Sequence, residues 1–363
     1  MFKKVSKKAW IEIAIATGIF VAIAIVTAFF DLEINKALDN TKSLYGQYFA
    51  NLGELPTYIT APILGGILFY QDFGNSSKQK FVINKIGGAI ITFVGYLAAI
   101  YMWFWDNFVS ESVMYSIVYI IVFSLVMSFL TILAFHAIPA EKRSKVFWFA
   151  VFLAIVAALG NAIVQVMKFL WARQRYRTMT PGNPQYGVGL HEAYPGYDYD
   201  GYTPWYIINS FVKPEIRTEE YMALFDADHI SSPFQSFPSG HTVAAAASFG
   251  LIIVPDLFPE VKKYKWVFWT VPMVYTGLVG LSRVVNTAHY LSDALFGYYV
   301  GFGVATLARW ILINKIKPYM PEVELLENKE DTEKSVNLLK NMGIKNIDIF
   351  EYVDPKNRTK LFK

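Results

Sequence analysis

The chain has 363 residues, 54% hydrophobic, 17% aromatic and 17% charged, with a formal net charge of +4 and no cysteine. Soluble domains average about 45–50% apolar and about 25% charged residues, and a shift of this size has one common cause, a polytopic membrane protein. The scattered positive charge argues against a nucleic-acid partner, and the lack of cysteine excludes a disulfide framework or a thiolate metal site.

The N-terminal MFKKVSKK is basic and precedes an apolar run at 11–30. A signal peptide begins the same way, but a run of about 20 residues matches a full span. No small-x-small cleavage site follows it, so it reads as an uncleaved first helix. Seven more apolar runs follow at 55–70, 86–105, 113–138, 146–168, 241–258, 266–281 and 290–313. The second is short and carries Pro62 and Gly65-Gly66. The expected fold class is all-α, a polytopic membrane helical bundle with about eight transmembrane helices.

Charge between the runs predicts orientation. With the N-terminus inside, the inner segments carry Lys3, Lys4, Lys7 and Lys8, then Lys78, Lys80 and Lys85, then Lys142, Arg143 and Lys145, then Lys262, Lys263 and Lys265, then Lys315 and Lys317. The outer segment 106–112 carries no Lys or Arg, and 31–54 holds Lys36 and Lys42 among several acids. This follows the positive-inside rule. It predicts a multi-pass protein of the plasma membrane with both termini cytoplasmic. Three regions are expected: N-terminal helices at 1–145, a core at 146–316 that includes an outer loop at 171–237, and a small cytosolic tail at 317–363. A loop this long reads as a folded cap or linker, or as a lid over a site. In the tail, 331–342 reads as a helix capped by Gly343, and 347–353 as a strand.

Three polar clusters close or open the later apolar runs, and the predicted orientation puts all of them on the outer face. The first is Lys168 with Arg175, the second Pro238-Ser239-Gly240-His241, the third Ser282-Arg283 with His289 and Asp293. His289 and Asp293 are four apart on a predicted helix and so share a face. A carboxylate there can fix the imidazole tautomer and leave the other nitrogen as a nucleophile. An ordinary helix-surface pair is the bland alternative, but an acid beside a membrane segment is costly without a role. Lys168 and Arg175 are seven apart, two turns if the helix continues through Arg173. Alone they would read as cations snorkelling at a helix end. With Arg283 they can neutralise a phosphate and the charge of its transition state. Pro238-Ser239-Gly240-His241 opens a helix, where N–H groups and the Ser239 hydroxyl can seat an anion beside His241. A lone helix-capping His is the alternative there. His136, His191 and His229 fall outside this pattern, and Asp226-Ala227-Asp228-His229 reads as a solvated turn.

The spacing Lys-x6-Arg, Pro-Ser-Gly-His and Ser-Arg-x5-His-x3-Asp resembles the signature of the type 2 phosphatidic acid phosphatase superfamily, which includes lipid phosphate phosphatases, bacterial acid phosphatases and vanadium haloperoxidases. The resemblance covers about 146–305. Tyr176 stands where the family has Pro after the first Arg, and two spans precede the six that the family core commonly has. The resemblance implies that His289 is the nucleophile forming a phosphohistidine, that Asp293 orients it, and that His241 is the acid and then the base. It implies that Lys168, Arg175, Ser239, Gly240 and Arg283 hold the phosphate, with no cofactor or metal. The implied partner is a membrane lipid phosphate in the bilayer. The expected activity is hydrolysis of a lipid phosphomonoester or diphosphate at the outer leaflet. The same residues would serve an undecaprenyl (polyprenyl) diphosphate phosphatase or a lipid-linked phosphotransferase. A non-enzymatic lipid-binding or transport scaffold would be expected to lack a nucleophile or a cation, and none is missing here. Vanadate-dependent peroxidase chemistry does not suit the membrane context.

Overall fold

A computed structural model describes residues 7–71, 78–108, 113–178, 202–212 and 234–313. Among these the chain is all-helical. Eight runs are long and apolar enough to cross a membrane: Ala14–Leu38, Leu44–Tyr70, Val82–Trp103, Ile117–His136, Lys142–Trp171, Gly240–Leu257, Pro259–Val285 and Leu291–Ile311. Each overlaps one of the eight apolar runs of the sequence. The tail elements expected at 331–342 and 347–353, His191, and the turn at 226–229 lie outside the described residues.

The long helices are α1 (Lys7–Leu38), α5 (Lys78–Phe108), α6 (Val113–His136) and α7 (Ala140–Trp171). The second span is built from α2 (Leu44–Leu52), α3 (Leu55–Tyr58) and α4 (Thr60–Tyr70). Ser43 caps α2 by accepting from the Gly46 N–H. Along α6, Ile117, Tyr119, Phe123, Phe129 and Leu133 are all exposed. A helix with apolar side chains on its outward faces suits lipid rather than water.

The sixth span departs from a plain helix. It is α8 (Gly240–Ala246), then a 3-10 stretch at Ala247–Ile253, then one α-helical turn at Val254–Leu257. A 3-10 residue rises about 2.0 Å against about 1.5 Å for an α residue. The tighter winding lengthens an apolar run of only 18 residues. Its small residues Ala244, Ala245, Ala246 and Ala247 are buried, as are Phe249, Ile252 and Ile253. The last two spans end in α9 (Lys265–Val285) and α10 (Leu291–Ile311).

Two compact units divide the described residues. One gathers those of Met1–Thr60, Tyr101–Ser110 and Phe152–Arg309. It contains α1 to α3, most of α7, and α8 to α10. Here α10 lies hard against α8: a Cβ on Gly301 would fall 2.2 Å from the Ala246 Cβ, so no side chain fits. Phe249 packs edge-on against Tyr298 and Phe302. The other unit gathers Ala61–Ile100, Glu111–Val151 and Trp310–Lys363. In it α4 crosses α5 at Gly65, where a Cβ would meet the Thr92 nitrogen at 2.5 Å. Small residues at such a crossing let two membrane helices pack backbone to backbone. His136, at the end of α6, lies against Tyr70 with ring centres 5.7 Å apart.

Candidate active site

The three polar clusters all belong to the first unit, and the backbone brings them together by two left-handed residues. α7 stops at Trp171, and Ala172 takes φ 43°, with its N–H on the Lys168 carbonyl at 3.1 Å. This is a helix-ending turn usually given to glycine, and a residue with a Cβ adopts it at a cost of roughly 1–2 kcal/mol. The turn is fastened from outside. Asn209 Nδ2 donates to the Ala172 carbonyl at 3.1 Å, and the Trp171 indole donates to the Trp205 carbonyl at 2.6 Å. The helix therefore does not run on through Arg173, and Lys168 and Arg175 are not two turns apart on one helix. Lys168 stays on the helix, and Arg173 and Arg175 follow on a segment without regular secondary structure.

The second left-handed residue is Thr287, φ 54°, just past the end of α9. The N–H groups of Ala288 and His289 then both point to the Arg283 carbonyl, at 3.0 and 3.2 Å. This turn folds His289 back beside Arg283. It also places His289 ahead of α10, which begins at Leu291, so the His289 and Asp293 pair is not within one helix as expected. The two segments are stitched together, with Arg177 N–H on the Thr287 carbonyl at 3.1 Å and Ser236 N–H on the Arg173 carbonyl at 3.0 Å.

His289 is 1% exposed. Its Nδ1 lies 2.6 Å from the Ser236 carbonyl oxygen, and its Nε2 lies 3.1 Å from Arg175 Nη1. A carbonyl only accepts and a guanidinium only donates, so the arrangement fixes one tautomer, with the proton on Nδ1 and the lone pair on Nε2. Burial first, and then the Arg175 guanidinium, push His289 down to about 3. The ring is neutral through the physiological range. Asp293 Oδ2 lies 3.5 Å from Nδ1. The carboxylate also accepts from the Ser236 hydroxyl at 2.5 Å and the Tyr290 N–H at 2.9 Å. The carbonyl of Ser236, a residue in none of the three motifs, is thus closer to the imidazole than Asp293 is.

A second residue outside the sequence pattern anchors the whole cluster. Arg173 is fully buried. Its Nη1 donates to Asp293 Oδ1 and to Ser292 Oγ, both at 2.7 Å, and its Nη2 donates to Asp31 Oδ2 at 2.9 Å. Nε donates to the Thr203 carbonyl at 2.8 Å, and the guanidinium stacks over the Tyr290 ring at 4.0 Å. The charge pattern predicts an outer loop at Asp31. It lies instead in the last turns of α1, which continue to Leu38, and it is fully buried. Asn35, one turn on, donates from Nδ2 to the His289 carbonyl at 3.0 Å.

The second motif forms the opposite wall. Ser239 is buried and caps α8, its Oγ accepting from the Thr242 N–H at 3.3 Å and the Thr242 hydroxyl at 2.9 Å. That leaves the Ser239 O–H as a donor. The Ser239 N–H is held by the Asp293 carbonyl at 2.9 Å, which ties the second motif to the third. Lys168 comes over Gly240, where a Cβ would sit 3.1 Å from the ammonium. Next to it, His241 Nδ1 pairs with Glu54 Oε1 at 3.1 Å. Besides Glu54, the charges of Arg283, His289, Arg175 and Lys168 reach His241, so the motif cations and both imidazoles share one electrostatic environment. Arg283 itself is buried. Among the described residues no three His, Cys, Asp or Glu side chains gather as a group that could hold a metal ion.

The arrangement is a cation-lined site with a neutral imidazole nitrogen aimed into it and a second imidazole at its edge. Comparison with known proteins points to the same part of the chain. Phosphatidylglycerophosphatase B of Bacillus subtilis (strain 168) is 38% identical over 69 residues, which are 18% of this chain and 34% of that protein. The chain thus spans about a third of the length of that curated relative. No solved structure matches the chain. The PAP2 superfamily profile matches residues 149–317, the stretch that holds all three motifs, and the chain accordingly carries a PAP2 superfamily domain.

Proposed function

We propose that this chain is an integral membrane lipid phosphatase, which hydrolyses a lipid phosphomonoester or diphosphate at the outer leaflet through a phosphohistidine. The observation that carries the reading is the His289 geometry: Nδ1 is committed to the Ser236 carbonyl, and the Nε2 lone pair faces Arg175. A nucleophile needs that lone pair unprotonated and oriented, and burial supplies the first while the Nδ1 hydrogen bond supplies the second. The phosphate displaces the Arg175 hydrogen bond from Nε2 and takes it on its own oxygen. Lys168, Arg175, Arg283, the Ser239 hydroxyl and the backbone at Gly240 hold the remaining oxygens. Arg is suited to this by its planar, bidentate donor fork. Nε2 of His289 then forms the N–P bond while the P–O bond to the lipid breaks, and the leaving oxygen takes a proton from His241. In the second half, His241 accepts a proton from water, the water oxygen bonds to phosphorus, and the N–P electron pair returns to Nε2. The sum is lipid phosphate plus water giving lipid alcohol plus phosphate. Asp293 offsets the positive charge that His289 carries in between. No metal is needed in this scheme.

Two features support a lipid substrate. An apolar cavity of about 780 Å³ lies between α1, α9 and α10, lined by Ile19, Met273, Gly277, Tyr298 and Phe302 among others. Its lining also includes Thr242 and Leu291, close in the chain to His241 and His289, so an acyl chain there can belong to a headgroup in the site. The relative's name, phosphatidylglycerophosphatase, is that of an enzyme acting on a lipid phosphate. The distribution of Lys and Arg supports an outward-facing site with both termini inside.

The test is hydrolysis by purified protein in detergent, with chelator present, across a panel of lipid phosphates and diphosphates. Phosphate release is expected from the parent and not from His289→Ala, with the variant retaining the parent's melting temperature. Turnover by His289→Ala would refute the nucleophile, and dependence on added divalent metal would refute the metal-free scheme.

A further inference from the structure

Glu54 lies outside the PAP2 segment and outside every motif of the sequence, in the short link between α2 and α3. Its carboxylate nevertheless has a defined geometry. Oε1 is 3.1 Å from His241 Nδ1, and Oε2 accepts the Tyr58 hydroxyl. An exposed ion pair contributes little and wanders. This pair is only 28% and 20% exposed, and its backbone is held on three sides. The Tyr275 hydroxyl, from α9, donates to the Leu52 and Gly53 carbonyls at 3.0 and 3.2 Å. Gly53 lies so close to α9 that a Cβ would fall 2.7 Å from Val279 Cγ1. The Thr57 hydroxyl donates to the Ala244 carbonyl of α8 at 2.9 Å, on the helix that carries His241. Glu54 is therefore fixed relative to the imidazole by the same two helices that build the site.

The two nitrogens of an imidazole lie on opposite sides of the ring. A carboxylate on Nδ1 selects the form with a proton there, and it compensates the charge that a second proton on Nε2 creates. We propose that Glu54 is the positioning residue of the general acid, holding His241 so that Nε2 presents its proton to the oxygen that leaves phosphorus. This rests on the phosphatase reading above. As the His289 Nε2 lone pair forms the N–P bond, the P–O electron pair departs on the leaving oxygen. That oxygen takes the Nε2 proton of His241, and the ring is left neutral with its Nδ1–H still on Glu54. Tyr58 holds the far carboxylate oxygen and keeps Oε1 turned toward the ring.

A general acid matters in proportion to how poor the leaving group is. The test therefore compares kcat/KM, which reports the step that expels the leaving group, for p-nitrophenyl phosphate and for a short-chain diacylglycerol phosphate. Glu54→Gln is expected to lower kcat/KM roughly 10- to 100-fold on the alkyl ester and several-fold less on the aryl ester. Tyr58→Phe, a milder change, is expected to show the same bias at roughly 3- to 10-fold on the alkyl ester. Aryl turnover serves as the check that each variant is folded. Equal losses on both esters would assign Glu54 a structural role, and no loss on either would remove it from the reaction. Either result overturns the proposal while leaving the phosphatase reading intact. A parent protein that hydrolyses neither these esters nor any lipid phosphate or diphosphate of the panel overturns that reading, and this proposal with it.

Discussion

Replacing Arg173 by Met removes one buried cation from between two buried carboxylates, and the consequence can be sized. Asp31 and Asp293 each hold the guanidinium at 2.9 and 2.7 Å, and all three side chains are shielded from solvent. At charge separations near 4 Å and an effective dielectric of about 20, each carboxylate attracts the guanidinium by about 4 kcal/mol before desolvation is subtracted. Breaking such a pair from one side leaves uncompensated charge, which typically costs about 3–5 kcal/mol. Each kcal/mol shifts the midpoint by about 2–4 °C in a unit of 150–250 residues, so Arg173→Met should melt roughly 6–20 °C below the parent. The assay is thermal unfolding in detergent followed by tryptophan fluorescence. The decisive comparison is Arg173→Met with Asp31→Asn. Neutralising Asp31 relieves the repulsion between the two orphaned acids, so the double variant should recover about 1–3 kcal/mol of coupling. A single variant that melts within about 2 °C of the parent, or a double variant no better than the single, would show that the triad does not hold the site together.

Two further outcomes are expected. Gly277 faces the apolar cavity, and a Cβ built there meets nothing within 4 Å, so Gly277→Phe should fold and fill the cavity. Its kcat/KM should drop roughly tenfold for a long-chain lipid phosphate and much less for a short-chain one, whereas an unchanged chain-length profile would place the acyl chain elsewhere. For orientation, Gly187→Cys in sealed cells should react with a membrane-impermeant thiol reagent, and labelling only after permeabilisation would invert the assigned topology.

The sequence disclosed what hydropathy and side-chain type encode. Eight apolar runs were visible, and the structure places a helical span on each. The acid-and-base clusters were visible because Lys, Arg, His and Asp stand out at the ends of such runs. Backbone chemistry was not visible. Nothing in the letter Ser at position 236 announces that its carbonyl will hold Nδ1 of His289. Nor does Ala172 announce a left-handed residue, since its type disfavours one, yet that single angle ends α7 four residues ahead of Arg175. Arg173 and Arg175 look equivalent in the sequence. The turn sends the first to Asp31 and Asp293 and the second to His289. Glu54 was one acid among several in an apparent outer loop, and only the path of the chain sets it against His241. Asp31 did carry a signal, an acid at the edge of a span, which is costly unless paired.

Two of the acidic groups around the site, Asp31 and Glu54, come from ahead of the stretch shared with the superfamily. A version of this chain shortened to residues 149–317 would retain every letter of the motif and yet strand a guanidinium inside the fold with half its counter-charge missing. Its His241 would also be without the carboxylate at its back. The helices ahead of residue 149 thus complete the charge balance of the polar clusters, and grafting experiments should move the two stretches as one piece.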